Sequence, residues 1–349
     1  MGRGARLSLA RHWAPGWTRV AVIGDATVMD LHGAELAQQL RPLARAVTLI
    51  PFPPGEAHKT RATKEQIEDR LLEEKLDRQG CIVALGGGIS LDMAGFVAAT
   101  YMRGVACVNL PTSLLAQVDA CIGGKTGLNT ERGKNLIGAV HQPDLVLVDP
   151  HYLDTLPRAQ WACGLAEMVK HAMVADEDLL GWIEAHAGEL VGPPYRSDHH
   201  PLLRCARIKA EIVQQDELET GRRRLLNYGH TVGHALELAS GHSLDHGRSV
   251  ALGMLVEGRV ATTLTSFSVD ELERLRRCLA RLDLPTRPPS ELPFDALLPY
   301  LALDKKRQGG SLRMALPVRV GAMAAAHDTF AVTVPLEQAR QAWQDEAAS

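Results

Sequence analysis

Short apolar runs alternate with amphipathic segments through the first 150 residues of this 349-residue chain. Helical periodicity separates the first three runs, and strands that alternate with helices predict a parallel sheet with helices on both faces. The predicted strands are residues 19–24, 46–52, 81–85, 105–110 and 145–148, and the predicted helices lie near 30–43 and 64–76.

The pattern changes after about residue 150, where long helical periodicities follow one another with few strand candidates. The predicted helical segments are 158–186, 200–216, 227–241 and 246–265, and the residues after 344 are expected to fray. A chain of this length exceeds what one hydrophobic core usually serves. We therefore predict an α/β protein of two domains, a parallel-sheet domain over 1–156 and a mostly α-helical domain over 157–349.

Composition narrows the class of protein. A formal net charge of −3 leaves no strong basic field, which argues against nucleic acid as the main partner. No run approaches the roughly 20 apolar residues that span a membrane, and no signal peptide is recognisable. The six cysteines are scattered without a CxxC pair, which predicts reduced thiols and a cytoplasmic location.

A histidine-rich segment is the first candidate for chemistry. Asn227, His230 and His234 fall on one stripe if the segment is helical, and two histidines four residues apart can share a metal ion. A pair of half-buried polar histidines is the alternative. Three further features favour the metal. Glycines flank both histidines, and His246 follows at the start of another apolar helix. Glu167 places a single carboxylate in an apolar helix start, where a buried charge needs a partner. Spacing alone favours His230 and His234 as co-ligands.

The strand predicted at 81–85 runs into Gly86-Gly87-Gly88 and then into a helix. Backbone amides at such a helix start bind phosphate because their N–H groups and the helix dipole both favour an anion. The pattern is not GxGxxG, and a merely tight turn is the alternative. Glu56 and Lys59, after the second strand, are candidates for ribose or phosphate contacts, with a solvated loop as the alternative.

Residues 119–135 form a glycine-rich stretch of low charge that we expect to be a flexible loop. Lys125 and Lys134 lie in it among polar amides rather than other charges, which suits anion capture. Further cationic candidates, each of which alone is more typical of a surface charge, are Lys209, Arg223, Lys305 and Lys306.

Taken together, these segments resemble the 3-dehydroquinate synthase family of sugar-phosphate cyclases over about residues 50–320. The motifs that carry the resemblance are GGG (86–88), AGFVAATYMRG (94–104), PTSLLA (111–116), GGKT (123–126), GKNLIG (133–138), GLAEMVK (164–170), DE (216–217), LNYGHTVGHALE (226–237) and HG (246–247). So many ordered matches make the resemblance specific.

The resemblance implies a zinc site, in which cobalt could substitute, of Glu167, His230 and His246. Implied NAD contacts are Glu56, Lys59, Gly87, Gly88, Asp92, Thr112 and Ser113, with Lys125, Lys134, Tyr152 and Thr155 nearby. Implied substrate residues are Arg103, Asp119, Lys125, Lys134, Asn135, Lys170, Lys209, Glu219, Arg223, Asn227, His234 and one of Lys305 or Lys306. In relatives the arginine that matches Arg103 reaches the neighbouring subunit's site, which implies a homodimer.

The activity that the resemblance implies is phosphate elimination and ring closure, from 3-deoxy-D-arabino-heptulosonate 7-phosphate to 3-dehydroquinate in the shikimate pathway to aromatic amino acids. NAD would be reduced and reoxidised within one turnover, so the enzyme would be a lyase. The metal would orient the substrate's hydroxyls, and the cationic cluster would bind its phosphate and carboxylate. His234 would lie beside the zinc without coordinating it and would shuttle protons.

Two positions depart from the family pattern: Leu91 replaces the usual glycine before Asp92, and Arg248 replaces the usual glutamate after His246-Gly247. Both leave room for a specialised cyclase, such as an aminodehydroquinate or 2-deoxy-scyllo-inosose synthase. Against the latter, Asn227 and the 124–126 motif match the dehydroquinate pattern, and a substrate without a carboxylate would not need Arg223. More distant alternatives are a metal-dependent polyol dehydrogenase and a non-catalytic binding module, which would bind zinc and NAD without turning over a sugar phosphate.

Overall fold

The structure is a computed structural model that describes residues 1–131, 133–195, 200–241, 243–303, 311–325 and 329–348. The chain divides into two compact units, Met1–Leu156 and Pro157–Ser349. Each unit has its own secondary-structure composition.

The first unit is built on a five-stranded sheet with the strand order β2-β1-β3-β4-β7, in which every neighbouring pair is parallel. The prediction of a parallel sheet is therefore confirmed. The strands of the sheet are β1 (Arg19–Asp25), β2 (Ala46–Phe52), β3 (Cys81–Gly86), β4 (Ala106–Pro111) and β7 (Leu145–Val146), and β5 (Lys125–Thr130) and β6 (Gly133–Val140) form a separate pair.

Helices connect the strands of this unit. The α-helices are α1 (Leu9–His12), α2 (Ala26–Val28), α3 (Ala34–Leu40), α4 (Arg61–Glu73) and α5 (Gly88–Thr100), with a π-helical turn at Met29–Gly33 that joins α2 to α3. Successive residues of a strand point to opposite faces. Accordingly Ile82 and Ala84 of β3 belong to one hydrophobic cluster, and Val83 and Leu85 belong to another. Both faces of the sheet are covered, as a parallel sheet requires.

The glycine-rich stretch over 119–135 differs from its prediction as a flexible loop. Residues Ala116–Ala120 form a π-helical turn, and β5 and β6 then pair as an antiparallel hairpin. The glycines allow close approach of the two strands, because a Cβ on Gly138 would lie 2.0 Å from the carbonyl oxygen of Thr126. The loop prediction was wrong because the glycines were interpreted as flexibility, whereas they permit tight strand pairing.

Asp149 ties the N-terminal segment to the sheet domain. Its fully buried carboxylate accepts hydrogen bonds from the backbone N–H groups of Gly4, Arg6 and His151 at 3.0–3.1 Å and from the Arg6 guanidinium at 2.9 Å. Burial opposes the charged form, but these hydrogen bonds hold the pKa of Asp149 below its usual value. The charge of Asp149 therefore stabilises the folded state.

Asp149→Asn is expected to lower the free energy of unfolding by about 2 kcal/mol at pH 7, because several donors lose a charged acceptor. A carboxyl group whose pKa is lowered on folding contributes stability above its unfolded pKa of about 4, and this contribution is lost as the pH falls through the folded pKa. Thermal melts of both proteins should therefore differ most at neutral pH and converge in acid. Asp30→Asn, at an exposed position, is the control, and a pH-independent difference for Asp149→Asn would contradict this account.

The second unit is mostly helical, as predicted. Its α-helices are α6 (Arg158–Ala175), α7 (Glu177–Leu190), α8 (His200–Gln215), α9 (His230–Ala239), α10 (His246–Leu264), α11 (Val269–Arg281), α12 (Leu298–Leu303) and α13 (Leu336–Ala348). The predicted helix over 158–186 is two helices, because Asp176 is extended and its side chain caps α7 by accepting from the N–H of Leu179 at 3.0 Å.

Short strands in this unit were missed by the sequence pattern. They are β8 (Ser311–Met314), β9 (Pro317–Arg319), β10 (Ala322–Met323) and β11 (Val332–Pro335), in two antiparallel pairs. Strands of two to four residues are too short to show a recognisable alternation of polar and apolar positions.

The expectation that the C-terminal residues fray was wrong up to Ala348, where α13 ends. The carboxylate of Glu346 is fully buried and accepts from Arg259 of α10 at 2.8 Å and from Arg276 of α11 at 2.6 Å. These ion pairs hold the last helix against α10, a largely buried helix that also packs against α6, α9 and α11.

The six cysteines are free thiols, and all except Cys163 are buried, in agreement with the expectation of reduced cysteines. Among the residues described, no helix combines the length and the apolar character needed to cross a membrane.

Candidate functional site

The glycine turn of the first unit lies at the carboxyl end of β3. Gly86 ends the strand with a φ of 149° that a residue with a side chain rarely adopts, and α5 begins at Gly88. The strand, glycine turn and helix start follow one another as predicted. Thr112 donates its N–H to the Gly86 carbonyl at 2.9 Å, and a Cβ on Gly87 would lie only 3.3 Å from the hydroxyl of Ser113. The turn brings four of the predicted nucleotide contacts together.

A network of polar side chains gathers further candidates in the same unit. The ammonium of Lys59, whose side chain is only 4% exposed, donates to Asp92 and to Asn135, at 2.6 Å in both cases. Asn129 donates to Glu56 at 2.6 Å and accepts from the backbone N–H of Asn135 at 3.1 Å. Residues predicted to contact the nucleotide are therefore hydrogen-bonded to one predicted to contact the substrate, and Asn129 is a member that sequence reasoning missed.

The other predicted residues of this unit differ in their surroundings. Tyr152 and Thr155 lie in a 3-10 helix (Pro150–Thr155), where the ring of His32 packs edge-on against Tyr152 and contacts the Thr155 hydroxyl at 2.9 Å. Lys125 begins β5, and Lys134 lies on β6. The remaining two predicted residues are Arg103, exposed just after α5, and the partly exposed Asp119.

Asp25 is a polar residue at the carboxyl end of β1 that sequence reasoning missed. It ends β1 and accepts a hydrogen bond from the hydroxyl of Ser90 in α5 at 3.1 Å. Polar residues at the carboxyl ends of parallel strands are the usual places for ligand contacts in open sheets. Its position at the end of the first predicted strand was the signal that could have identified it.

Three side chains converge in the second unit. Glu167 lies on α6, His230 begins α9 and His246 begins α10. The Nε2 atoms of His230 and His246 lie 3.3 and 3.2 Å from the same carboxylate oxygen of Glu167. One donor atom from each residue lies within 4.8 Å of the other two, which is a spacing that can hold a metal ion.

The other ring nitrogens face acceptors that orient the two imidazoles. Nδ1 of His230 lies 3.1 Å from the backbone carbonyl of Tyr228, which can only accept, so this nitrogen carries the proton. Nδ1 of His246 lies 3.7 Å from the carboxylate of Glu237. When Nε2 of each ring is deprotonated, as metal binding requires, its lone pair points towards the carboxylate of Glu167. Three electron-pair donors that face one another are stabilised by a cation among them, so the donor set fits a divalent metal.

The electrostatics of this cluster follow from burial and mutual contact. Burial would raise the pKa of Glu167, but the contacting ammonium of Lys170 and the ring of His230 hold it well below its usual range. Burial lowers the pKa of His230 despite its contact with Glu167. In His246 burial is outweighed by Glu167 and Glu237, which raise its pKa to about 9. Glu167 is thus ionised at neutral pH, as a metal ligand must be.

His234 lies one turn along α9 from His230. The centroid of its ring is 5.0 Å from that of His230 and 5.8 Å from that of His246. Spacing had favoured His230 and His234 as co-ligands, but the group of three donors that the structure brings together contains His246 instead. His234 remains next to the cluster.

The segment between α8 and α9 carries several predicted substrate residues. The carboxylate of Asp216 accepts from the N–H groups of Thr220, Gly221 and Arg223, which shapes the turn. Arg223 is 2% exposed and donates to the Glu217 carbonyl at 2.6 Å.

Asn227 does not share a helix with His230, contrary to the predicted stripe. It ends a 3-10 helix (Arg222–Asn227), and its amide donates to Glu219 at 2.6 Å. Gly229 has a left-handed φ of 78°, which breaks the helical conformation between Asn227 and the start of α9 at His230.

The last predicted substrate residues include Lys170 and Lys209, which are both buried. Lys305 and Lys306 lie outside the described residues. Of the two departures from the family pattern, Leu91 packs in the core of the first unit. The Arg248 side chain pairs with Asp245, the N-cap of its own helix.

Solved structures of known proteins define the class to which this fold belongs. A 2-deoxy-scyllo-inosose synthase solved with carbaglucose-6-phosphate, NAD⁺ and Co²⁺ has a TM-score of 0.91 at 26% identity, over 99% of this chain and 95% of that chain. A 2-epi-5-epi-valiolone synthase from Streptomyces hygroscopicus, with NAD⁺ and Zn²⁺ bound, has a TM-score of 0.84 at 30% identity, over 95% and 91%. The fold is that of the sugar-phosphate cyclases.

The family follows from sequence comparison. Residues 49–163 match the model of the 3-dehydroquinate synthase N-terminal domain, and residues 164–307 match that of the C-terminal domain. A 3-dehydroquinate synthase of Synechococcus sp. is 43% identical over 333 residues, which cover 94% of this chain and 88% of the relative. The chain belongs to the 3-dehydroquinate synthase family.

Proposed function

We propose that this chain converts 3-deoxy-D-arabino-heptulosonate 7-phosphate to 3-dehydroquinate and inorganic phosphate, with NAD and a divalent metal, zinc or cobalt, as cofactors. The observation that carries the proposal is the convergence of Glu167, His230 and His246 in a chain so similar to 3-dehydroquinate synthases. The reaction breaks one C–O bond to phosphate and closes one C–C bond without net oxidation, so it needs no external oxidant.

The metal would be held by the carboxylate of Glu167 and by Nε2 of each histidine. This set leaves coordination positions open for substrate oxygens, as catalytic sites require. The Tyr228 carbonyl and the Glu237 carboxylate would fix the orientation of the two rings. Bound NAD would take and return a hydride, and the bound cation would stabilise negative charge on the reacting oxygen.

The nucleotide would be bound by the first unit. The backbone amides at the start of α5 suit its pyrophosphate, because the glycines let an anion approach and the helix dipole favours it. The network of Glu56, Lys59 and Asp92 offers carboxylates and an ammonium to ribose hydroxyls and phosphate oxygens.

Cations in each unit are candidates for binding the substrate's anionic groups. Lys125 and Lys134 project from β-strands, so their backbone positions are fixed before binding. Lys170 and Lys209 are buried cations, and Arg223 is held by Asp216 and Glu217 in an orientation set by the turn. His234, beside the metal cluster, would move protons to and from the substrate's oxygens.

A cyclase that acts on a carboxylate-free sugar phosphate is the second candidate function. The high TM-score to the 2-deoxy-scyllo-inosose synthase favours it, but the higher identity to 3-dehydroquinate synthases and the buried Arg223 favour a substrate with a carboxylate.

The proposal is tested by incubating the purified protein with zinc, NAD and 3-deoxy-D-arabino-heptulosonate 7-phosphate. We expect inorganic phosphate and 3-dehydroquinate to form in equal amounts, with no accumulation of NADH, because the hydride returns within each turnover. Glucose 6-phosphate, which lacks the carboxylate, is the control substrate and should release no phosphate. Phosphate release from glucose 6-phosphate alone would overturn the proposal in favour of the second candidate function.

The quaternary structure and the location stay predictions. We propose a homodimer in which Arg103 serves the neighbouring subunit. Its exposure supports this, and left-handed φ values of 51° at Met102 and 68° at Arg103 mark the turn that follows α5. Sedimentation of the purified chain as a monomer at micromolar concentration would contradict the dimer. Cytoplasmic location and the lack of a nucleic-acid or membrane partner stay expectations from composition.

A further inference from the structure

Glu257 is a fully buried carboxylate that belongs to neither the proposed metal ligands nor the proposed substrate residues. It lies in the middle of α10, in the apolar run Leu255-Val256-Glu257-Gly258, where a charge is costly unless it has hydrogen-bond donors. Its two oxygens accept from the backbone N–H groups of Gly229 at 2.8 Å and Val232 at 3.0 Å.

These two donors have a specific place in α9. Gly229 is the N-cap of the helix and Val232 is its third residue. In a capping box the same two N–H groups are satisfied by side chains of the helix's own N-cap and third residue. Here one carboxylate from a neighbouring helix accepts from both, and its charge also complements the positive end of the α9 dipole.

The local packing explains why the cap comes from another helix. Gly229 has a left-handed φ, and a Cβ at this position would lie 2.5 Å from Cγ of Met254 and 2.9 Å from the carbonyl oxygen of Val250. A serine, threonine or aspartate therefore does not fit at the N-cap. The close approach of α9 to α10 that excludes a side chain here also brings Glu257, one turn beyond Gly253, within reach of the N–H groups.

The capped segment is the one that carries a proposed metal ligand. His230 lies between the two residues that donate to Glu257, and its Nδ1 is bonded to the carbonyl of Tyr228. Tyr228 is also tied to α10, since its hydroxyl donates to the Met254 carbonyl at 2.8 Å. The backbone on both sides of His230 is thus attached to α10, whose first residue is His246.

We infer that Glu257 is a positioning residue for the metal centre, which caps α9 from α10 and thereby fixes His230 relative to His246. This inference rests on the proposed metal site. Because a ligand held in place by its supporting hydrogen bonds binds metal more tightly, Glu257 raises metal affinity without touching the metal.

The test measures cobalt(II) affinity and the cobalt absorption spectrum of the purified, metal-free protein and its variants. In Glu257→Gln one N–H keeps an acceptor and the other faces an amide NH₂, so His230 is displaced. We expect the dissociation constant for cobalt to rise about ten- to a hundredfold, with shifted ligand-field bands. Glu257→Asp keeps the charge on a shorter side chain and should lie between wild type and Glu257→Gln, and it serves if the glutamine variant does not fold.

Glu346→Gln is the matched control, because Glu346 is an equally buried carboxylate of the same unit that pairs with Arg259 and Arg276 instead. It should lower thermal stability and leave cobalt affinity unchanged. Equal losses of cobalt affinity in Glu346→Gln and Glu257→Gln, or wild-type affinity in Glu257→Gln, would overturn the inference. Failure of the wild-type protein to bind cobalt would instead overturn the proposed metal site.

Discussion

Glu167→Gln is expected to abolish divalent-metal binding and to lower turnover by about a thousandfold or more while the fold is retained. The amide has nearly the shape of the carboxylate but no charge, so it is a poor ligand for a divalent cation. A metal that stabilises charge in the transition state contributes several kcal/mol, which corresponds to about three orders of magnitude in rate. Glu167 is 1% exposed and lies within 3.3 Å of both histidines, so water cannot easily take its place.

Metal content after dialysis against zinc, circular dichroism and phosphate release would be measured on the same preparation. Glu346→Gln is a suitable control, since it also removes a buried negative charge from the helical unit. Zinc content equal to that of the wild-type protein in Glu167→Gln would refute the ligand assignment. Loss of the helical signal would show that Glu167 is needed to compensate Lys170 rather than to bind metal.

Gly253→Ala is expected to have the largest effect on stability, with a loss of about 3–5 kcal/mol. A Cβ on Gly253 would lie 1.9 Å from the carbonyl oxygen of Gly229 and 2.8 Å from the backbone nitrogen of Gly233. Both are backbone atoms of the α9 region, so no side-chain rotation relieves the clash. The helix must move away from α10, and His230 must move with it, so metal affinity should fall together with stability.

Chemical denaturation of the wild-type and variant proteins would measure this loss. Gly188→Ala is the control, because Gly188 lies in α7 and a Cβ added there would have no other atom within 4 Å. Alanine there should raise stability by up to about 1 kcal/mol, through its better helix propensity. A Gly253→Ala protein as stable as the wild type would show that α9 and α10 can separate without cost.

The strands of the sheet were predictable because each carries a local signal. A run of apolar residues bounded by turns predicted a strand over 81–85, one residue shorter than the observed β3 (Cys81–Gly86). The glycine turn after it was recognised from its three consecutive glycines. The break at Asp176 and the hairpin of β5 and β6 were not predictable in this way. At Asp176 one capping side chain ends a helix although the hydrophobic periodicity continues. The hairpin forms because two glycine-rich strands pair with each other, which neither strand indicates alone.

The grouping of side chains at the candidate site was only partly accessible from the sequence. Hydrophobic periodicity indicates that Glu167 is a charged residue in an apolar helix and that His230 and His234 share a helix face. It could not place His246 against Glu167, since 79 residues separate them and no local rule relates their positions. Glu257, like Glu167, is a charged residue in an apolar helical run, but its partners are the backbone N–H groups of Gly229 and Val232, which no side-chain motif indicates.

The class of fold, the parallel sheet with its glycine turn and the helical second half were all predictable from the sequence, and its motifs indicated the family. The features of the fold follow from hydrophobic periodicity and residue conformational preferences, which act over a few neighbouring positions, whereas the family follows from the ordered motifs. Spacing did not identify which three donors converge; the motifs implied Glu167, His230 and His246, and the tertiary structure brings these three together. How each imidazole is oriented and where α9 begins depended on the tertiary structure. The convergence of the three donors depends on the packing of α10 against α9 and against α6. The glycines at 229, 233 and 253 permit the first contact at backbone distance, and Gly247 permits the second.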